Sequence, residues 1–168
     1  MRGWTRRSVA TPLALAAVLI GGTACLPFPA SRVTPEGAMD NGRLQSLIEG
    51  LAEEIEGEAG YWSFTVASRQ VIVVTDEAAD RMRIMTPVAE DDGLTAEQVR
   101  TLLEANFDRA LDARYALARG YVWSAFIHPL TALTEGEFVE GVHQVVTLAD
   151  NYGTTYTSTD LVFQGGLN

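Results

Sequence analysis

The chain has no lysine, one cysteine and two histidines. With a single cysteine no intramolecular disulfide can form. The basic residues number 12, all arginine, against 22 acidic ones, for a net charge of −10. A nucleic-acid surface needs clustered positive charge, so nucleic acid is excluded as a partner. No apolar run reaches the ~20 residues of a membrane-spanning helix. Phosphate loop, nucleophile elbow, zinc spacing and metalloprotease signature are all missing, so the expectation is no catalytic residue, no metal, no cofactor and no enzyme. What remains is 47% apolar content in 168 residues, which suits one folded domain.

Arg2, Arg6 and Arg7 precede an apolar run from Ala10 to Ile20, followed by Gly21, Gly22, Thr23, Ala24 and Cys25. A basic start, a short apolar core and small residues before a cut predict an export signal over residues 1–24. Arg6 and Arg7 also resemble a weak twin-arginine motif. Cys25 resembles the lipidated cysteine of a bacterial lipoprotein: Thr23-Ala24-Cys25 matches the end of the lipobox, with Gly22 where leucine is usual. The alternative is an ordinary cut after Ala30, which discards Cys25. Pro27, Pro29 and Pro35 make residues 25–38 a tether. The expected location is the periplasm or cell envelope, with a lipid anchor in the membrane.

Apolar periodicity organises the rest. Asp40 or Asn41 can cap a helix with Leu44, Leu47, Ile48, Leu51 and Ile55 on one stripe, Glu49, Glu53, Glu54 and Glu56 opposite, and Gly57 and Gly60 as its stop. The glutamates suit a metal or a cationic client, or simply a solvated face. Residues 61–67 alternate as a half-buried strand, with Trp62, Phe64 and Val66 on one side. Ser68-Arg69 turns it into Val71-Ile72-Val73-Val74, apolar on both sides, whose facing the pattern leaves open. A third strand over residues 81–86 places Met82 and Ile84 inward, and Pro87 ends it or marks an edge. Glu90-Asp91-Asp92-Gly93 resembles part of a calcium loop but lacks the further ligands, and reads as a turn ahead of a helix.

Two helix starts share one local design. Thr95 with Gln98, and Thr134 with Glu137, form capping boxes, flanked by the apolar pairs Leu94/Val99 and Leu133/Phe138. The first helix continues through Leu102, Leu103 and Phe107; the second carries Phe138, Val142, Val145, Ala149 and Tyr152 on one stripe and stops at Gly153. Between them lies a hairpin turned at Arg119-Gly120 and ended by His128-Pro129. Tyr115, Leu117, Trp123, Ala125 and Ile127 are expected on its helix side, and Arg114, Ala116, Val122, Ser124 and Phe126 on the other. Residues 154–168 are expected as a flexible tail, although Leu161-Val162-Phe163 is apolar enough to dock. The predicted fold class is α+β, one domain over residues 39–153 with a five-stranded antiparallel sheet and packed helices in the order α-β-β-β-α-β-β-α.

That order, with Leu102-Leu103-Glu104-Ala105-Asn106-Phe107 on the middle helix and Phe138 and Val142 on the last, resembles the YbjN-type domain, a relative of the type III secretion chaperone-like fold. The resemblance spans residues 40–153. It implies a non-enzymatic, often dimeric, protein-binding domain with chaperone-like or regulatory roles. The chain departs from that family in its export signal, since secretion chaperones work in the cytoplasm.

Two constellations are candidates for chemistry. His143, three residues after Glu140, and His128 before Pro129 suit a metal or acid–base pair, or solvated histidines. The stronger candidate is the helix-free face of the sheet, where Arg81, Arg83 and Arg114 are expected beside Val122 and Phe126. Arginine next to apolar and aromatic positions is typical of protein interfaces; the alternative is cross-strand pairing with carboxylates. Expected partners are a polypeptide of unknown identity or a second copy of the domain. Rival readings are a structural envelope lipoprotein and a small-ligand-binding or hydrolytic enzyme.

Overall fold

The structure, a computed structural model, describes residues 37–52 and 54–159. The export signal, Cys25, the tether as far as residue 36, Glu53 and Leu161-Val162-Phe163 lie outside the described residues. The elements in order are α1 (Asn41–Leu51), β1 (Ile55–Glu58), β2 (Tyr61–Val66), β3 (Arg69–Asp76), β4 (Arg81–Glu90), α2 (Ala96–Asp108), β5 (Arg114–Ala118), β6 (Tyr121–His128) and α3 (Glu135–Asp150). The sheet order is β1-β2-β3-β4-β6-β5, with every neighbouring pair antiparallel.

The fold class is the expected α+β, with six strands rather than five. α1 starts where the Asp40 carboxylate accepts from the Arg43 N–H at 2.9 Å, but it stops at Leu51, a turn before its apolar stripe ends. Ile55 instead opens β1, the extra edge strand, opposite Phe64. Gly57, expected as a helix stop, sits inside β1 at φ +106°. A Cβ there would lie 2.2 Å from the Tyr61 carbonyl oxygen, so only glycine lets β1 come this close to β2.

The β2–β3 turn falls at Ala67-Ser68, one residue earlier than expected, with φ of 48° and 67°. That mirror-image turn twists with its strands. β4 does not end at Pro87. Its ladder with β3 stops at the Ile72–Met85 pair, the Thr86 hydroxyl donates to the Gln70 carbonyl at 2.6 Å, and a bulge between Pro87 and Ala89 lets β4 continue beside β6. The missing proline N–H therefore falls where the β3 ladder has already ended.

The core lies between one face of the sheet and the helices. Trp62, Phe64, Val71, Val73, Met82, Ile84, Val122 and Phe126 enter it from the strands, and Leu44 and Ile48 from α1. The Trp62 indole donates to the Gln45 side-chain oxygen, tying α1 to β2. α3 packs over β3, β4 and β6. Gly141 permits the close approach, because a Cβ there would sit 3.0 Å from Ile84 Cδ1 and 3.1 Å from Phe126 Cδ1. Both capping boxes form, and α2 buries Leu102 and Ala105. Leu103 and Phe107, which continue the apolar pattern of this helix, are 64% and 78% exposed: α2 lies at the margin, beside β5, and needs only a narrow apolar stripe.

Buried Gln144 of α3 holds the α2–β5 connection. Its oxygen accepts from the Asp112 and Ala113 N–H groups at 2.9 and 3.2 Å, and its amide donates to the Asp112 carboxylate at 3.2 Å. Asn106 accepts from the Tyr115 N–H and donates to its carbonyl, covering one position on the open edge of β5. Residues 154–159, expected to begin a flexible tail, are tied down instead. The Ser158 hydroxyl accepts from the Leu111 N–H at 2.7 Å, the Asn151 amide donates to the Thr157 carbonyl at 2.9 Å, and Tyr156 packs edge-on against Tyr115 and Tyr152. Among the described residues no helix is long and apolar enough to cross a membrane.

Candidate protein-binding face

Register decides which side chains look away from the helices. The two-residue turn Arg119-Gly120, with φ of 54° and 82°, pairs Ala118 with Tyr121, hence Leu117 with Val122 and Tyr115 with Ser124. Paired residues share a face. Val122 and Phe126 therefore lie on the helix side, where they are 0% and 6% exposed, and Trp123, Ala125 and Ile127 lie on the other. This reverses the expected phase of β6: Val122 and Phe126 belong to the core. Arg81, Arg83 and Arg114 do lie on the helix-free face, as their register partners require.

Two cross-strand rows make up this face. One runs Glu58, Tyr61, Val74, Arg83, Ile127; the next runs Glu56, Ser63, Ile72, Met85, Ala125, Arg114. Trp123 comes after them on β6. Its indole donates to the Ala118 carbonyl at 2.9 Å and its ring meets Tyr121 edge-on at 6.2 Å. The apolar residues of β3, β4 and β6 line an open groove of about 1000 Å³ that also contains Arg81, Arg83 and Arg119. Ile127 is 59% exposed and Tyr61 48%.

The arginines are not neutralised locally. Among the described residues no carboxylate lies within ion-pair distance of Arg81, Arg83, Arg114 or Arg119. Arg81 donates to the Asp80 carbonyl at 2.7 Å, and Arg114 to the carbonyls of Leu111 and Ala113 at 2.5 and 2.9 Å. Asp76, the register partner of Arg81, accepts from the Ala79 N–H at 2.8 Å instead. Among the described residues the cross-strand pairing offered as the alternative does not form.

The histidine constellation is divided: His128 and Glu140 line one open cavity, and His143 is not part of its lining. The His128 ring stacks on Phe126 with centroids 5.8 Å apart, and its Nδ1 is 2.8 Å from the Pro129 carbonyl oxygen. His143 is exposed on α3, while Glu140 accepts from the Gln144 amide at 3.5 Å. A second open cavity, about 390 Å³, is lined by Asp112, His128, Glu137 and Glu140. Glu137 is committed to its capping box, where hydrogen bonds from the Thr134 N–H and hydroxyl hold its carboxyl below the usual range. Glu90-Asp91-Asp92-Gly93 forms a turn in which the Asp91 N–H donates to the Gly120 carbonyl at 3.0 Å. Among the described residues no three potential metal ligands converge.

Sequence reasoning missed Trp123, Ile127, Ile72, Val74 and Arg119 as members of the face. For β6 the signal was available: a two-residue turn makes an odd-numbered residue of β5 face the same way as an even-numbered residue of β6. For β3, apolar on both sides, no local signal existed.

No family model and no curated protein matches the chain. Solved structures share its fold. A chain of the ExsC–ExsE complex is 19% identical with a TM-score of 0.51, covering 67% of this chain and 92% of that one. The Yersinia pestis type III secretion chaperone SycH, solved with a stable fragment of YscM2, is 18% identical with a TM-score of 0.51, over 66% of this chain and 97% of SycH. A chain of the HopA1–SchA chaperone–effector complex is 9% identical with a TM-score of 0.51, over 68% and 89%. The chain thus has the type III secretion chaperone-like fold, and at these identities the likeness is one of fold alone.

Proposed function

We propose that the chain is a non-enzymatic, protein-binding domain of the YbjN type, acting in a chaperone-like or regulatory way by holding a polypeptide against the helix-free face of its sheet. One observation carries this reading: an exposed apolar groove bordered by arginines that have no carboxylate partner among the described residues. SycH and SchA, similar in fold, were both solved with protein partners, which supports the reading. A photo-crosslinking residue at Ile127 should capture a polypeptide, and one at exposed Glu49 on α1 should not. Trp123→Ala should abolish the capture; equal yields at both positions would count against the face.

The domain is exported and held at the envelope by a lipid on Cys25, a reading that rests on the arginines, apolar run and small residues of its first 25 positions. Mass spectrometry of the membrane fraction should find Cys25 carrying diacylglycerol, and Cys25→Ser should release the protein. A second copy of the domain is proposed to pack on α2, where Leu103 and Phe107 stand exposed one turn apart. Sedimentation should show a dimer that Leu103→Glu with Phe107→Glu converts to a monomer.

A further inference from the structure

The chemistry of the groove narrows the class of its occupant. In a chain of net charge −10, the groove holds three arginines against a single carboxylate, that of Asp76, which already accepts from the Ala79 N–H. Arg83 and Arg119 make no hydrogen bond or ion pair among the described residues. All three arginines are exposed, and the guanidinium's planar fork of donors matches a carboxylate in two-point contact. Along β4, Arg81 and Arg83 stand two residues apart, a spacing of roughly 7 Å that equals the repeat between same-side residues of an extended chain. Between and beyond them Val74, Met85 and Ile127 supply only apolar contact. A basic segment would meet uncompensated like charge, and a purely apolar one would leave the arginines to be desolvated without partners.

We infer that the occupant is an extended polypeptide segment carrying carboxylates interspersed with apolar side chains. This inference rests on the reading that the helix-free face binds polypeptide, and adds the partner's charge.

The test uses full-length protein and fluorescein-labelled dodecapeptides of alternating valine and glutamate, whose same-side carboxylates repeat at the roughly 7 Å spacing of Arg81 and Arg83. Companion peptides carry glutamine or lysine in place of glutamate. Polarisation at low salt should show the glutamate peptide binding about tenfold tighter than the glutamine peptide, with the lysine peptide weakest and the gap closing as sodium chloride is added. Arg83→Gln with Arg119→Gln should remove that gap and leave both the glutamine peptide's affinity and the thermal midpoint unchanged. Trp123→Ala should weaken every peptide. Equal binding of the glutamate and glutamine peptides overturns the inference and leaves the face as a binding surface. Binding of no peptide overturns both. A dimer that becomes monomeric in the Arg83→Gln, Arg119→Gln variant makes the occupant a second copy, which also overturns the inference.

Discussion

Tyr115 ends in a hydroxyl that donates to the Leu148 carbonyl at 2.7 Å, beneath the rings of Tyr152 and Tyr156. Burial, followed by the neighbouring Tyr156 and Tyr152, holds its phenol protonated well above the usual range. The folded value exceeds the unfolded one, so this stability is complete below about pH 10 and is lost as pH rises through the folded value. Tyr115→Phe should cost about 1 kcal/mol at pH 7. Urea unfolding at pH 11 should show a smaller gap between the two proteins, because the phenylalanine variant has no proton to lose. Gln144 serves two backbone N–H groups that have no other partner in view. Gln144→Ala should destabilise by about 1–2 kcal/mol in the same assay, since the Ala113 N–H would be left buried and unpaired while that of exposed Asp112 turns to solvent.

Among the elements, the hairpins carry more strain than their sequences suggest. Ala67 and Ser68 both occupy left-handed backbone that neither residue type favours. Ala67→Asn with Ser68→Gly, the residues that suit such a turn, should raise stability by about 1 kcal/mol, read as a higher urea midpoint at an unchanged slope. α3 is constrained in the opposite sense. Its seat on the sheet depends on an absent side chain at Gly141, where Ile84 and Phe126 crowd the space. Gly141→Val should destabilise by about 2 kcal/mol through overpacking.

At the scale of the molecule, two layers divide the strand residues into those that build the core and those left for a partner. Val122 and Ile127, an odd number of positions apart on β6, fall on opposite sides of that division. Val122→Ala should cost about 2 kcal/mol of stability with peptide binding intact. Ile127→Ala should change stability by less than about 0.5 kcal/mol while weakening the binding. A thermal melt and a polarisation titration on each variant separate the two outcomes. The reverse pattern would return Val122 to the outer face and dissolve the proposed site.

What could be read without coordinates was whatever neighbours within four residues settle among themselves. The Thr95 and Thr134 caps, the alternation of β2 and β4, the arginine turn and the excess of negative charge are all of this kind, since their hydrogen bonds and side-chain spacing are local. Tertiary structure alone decided the switch from helix to edge strand at Ile55, the exposure of Leu103 and Phe107, the anchoring of Ser158, and the placement of Ile72 and Val74 opposite the helices. Each depends on a partner remote in sequence: β2 for Ile55, β5 for α2, Leu111 for Ser158, and α3 for the choice of which apolar face of β3 is covered. The binding face exists because that last choice left a second apolar surface bare.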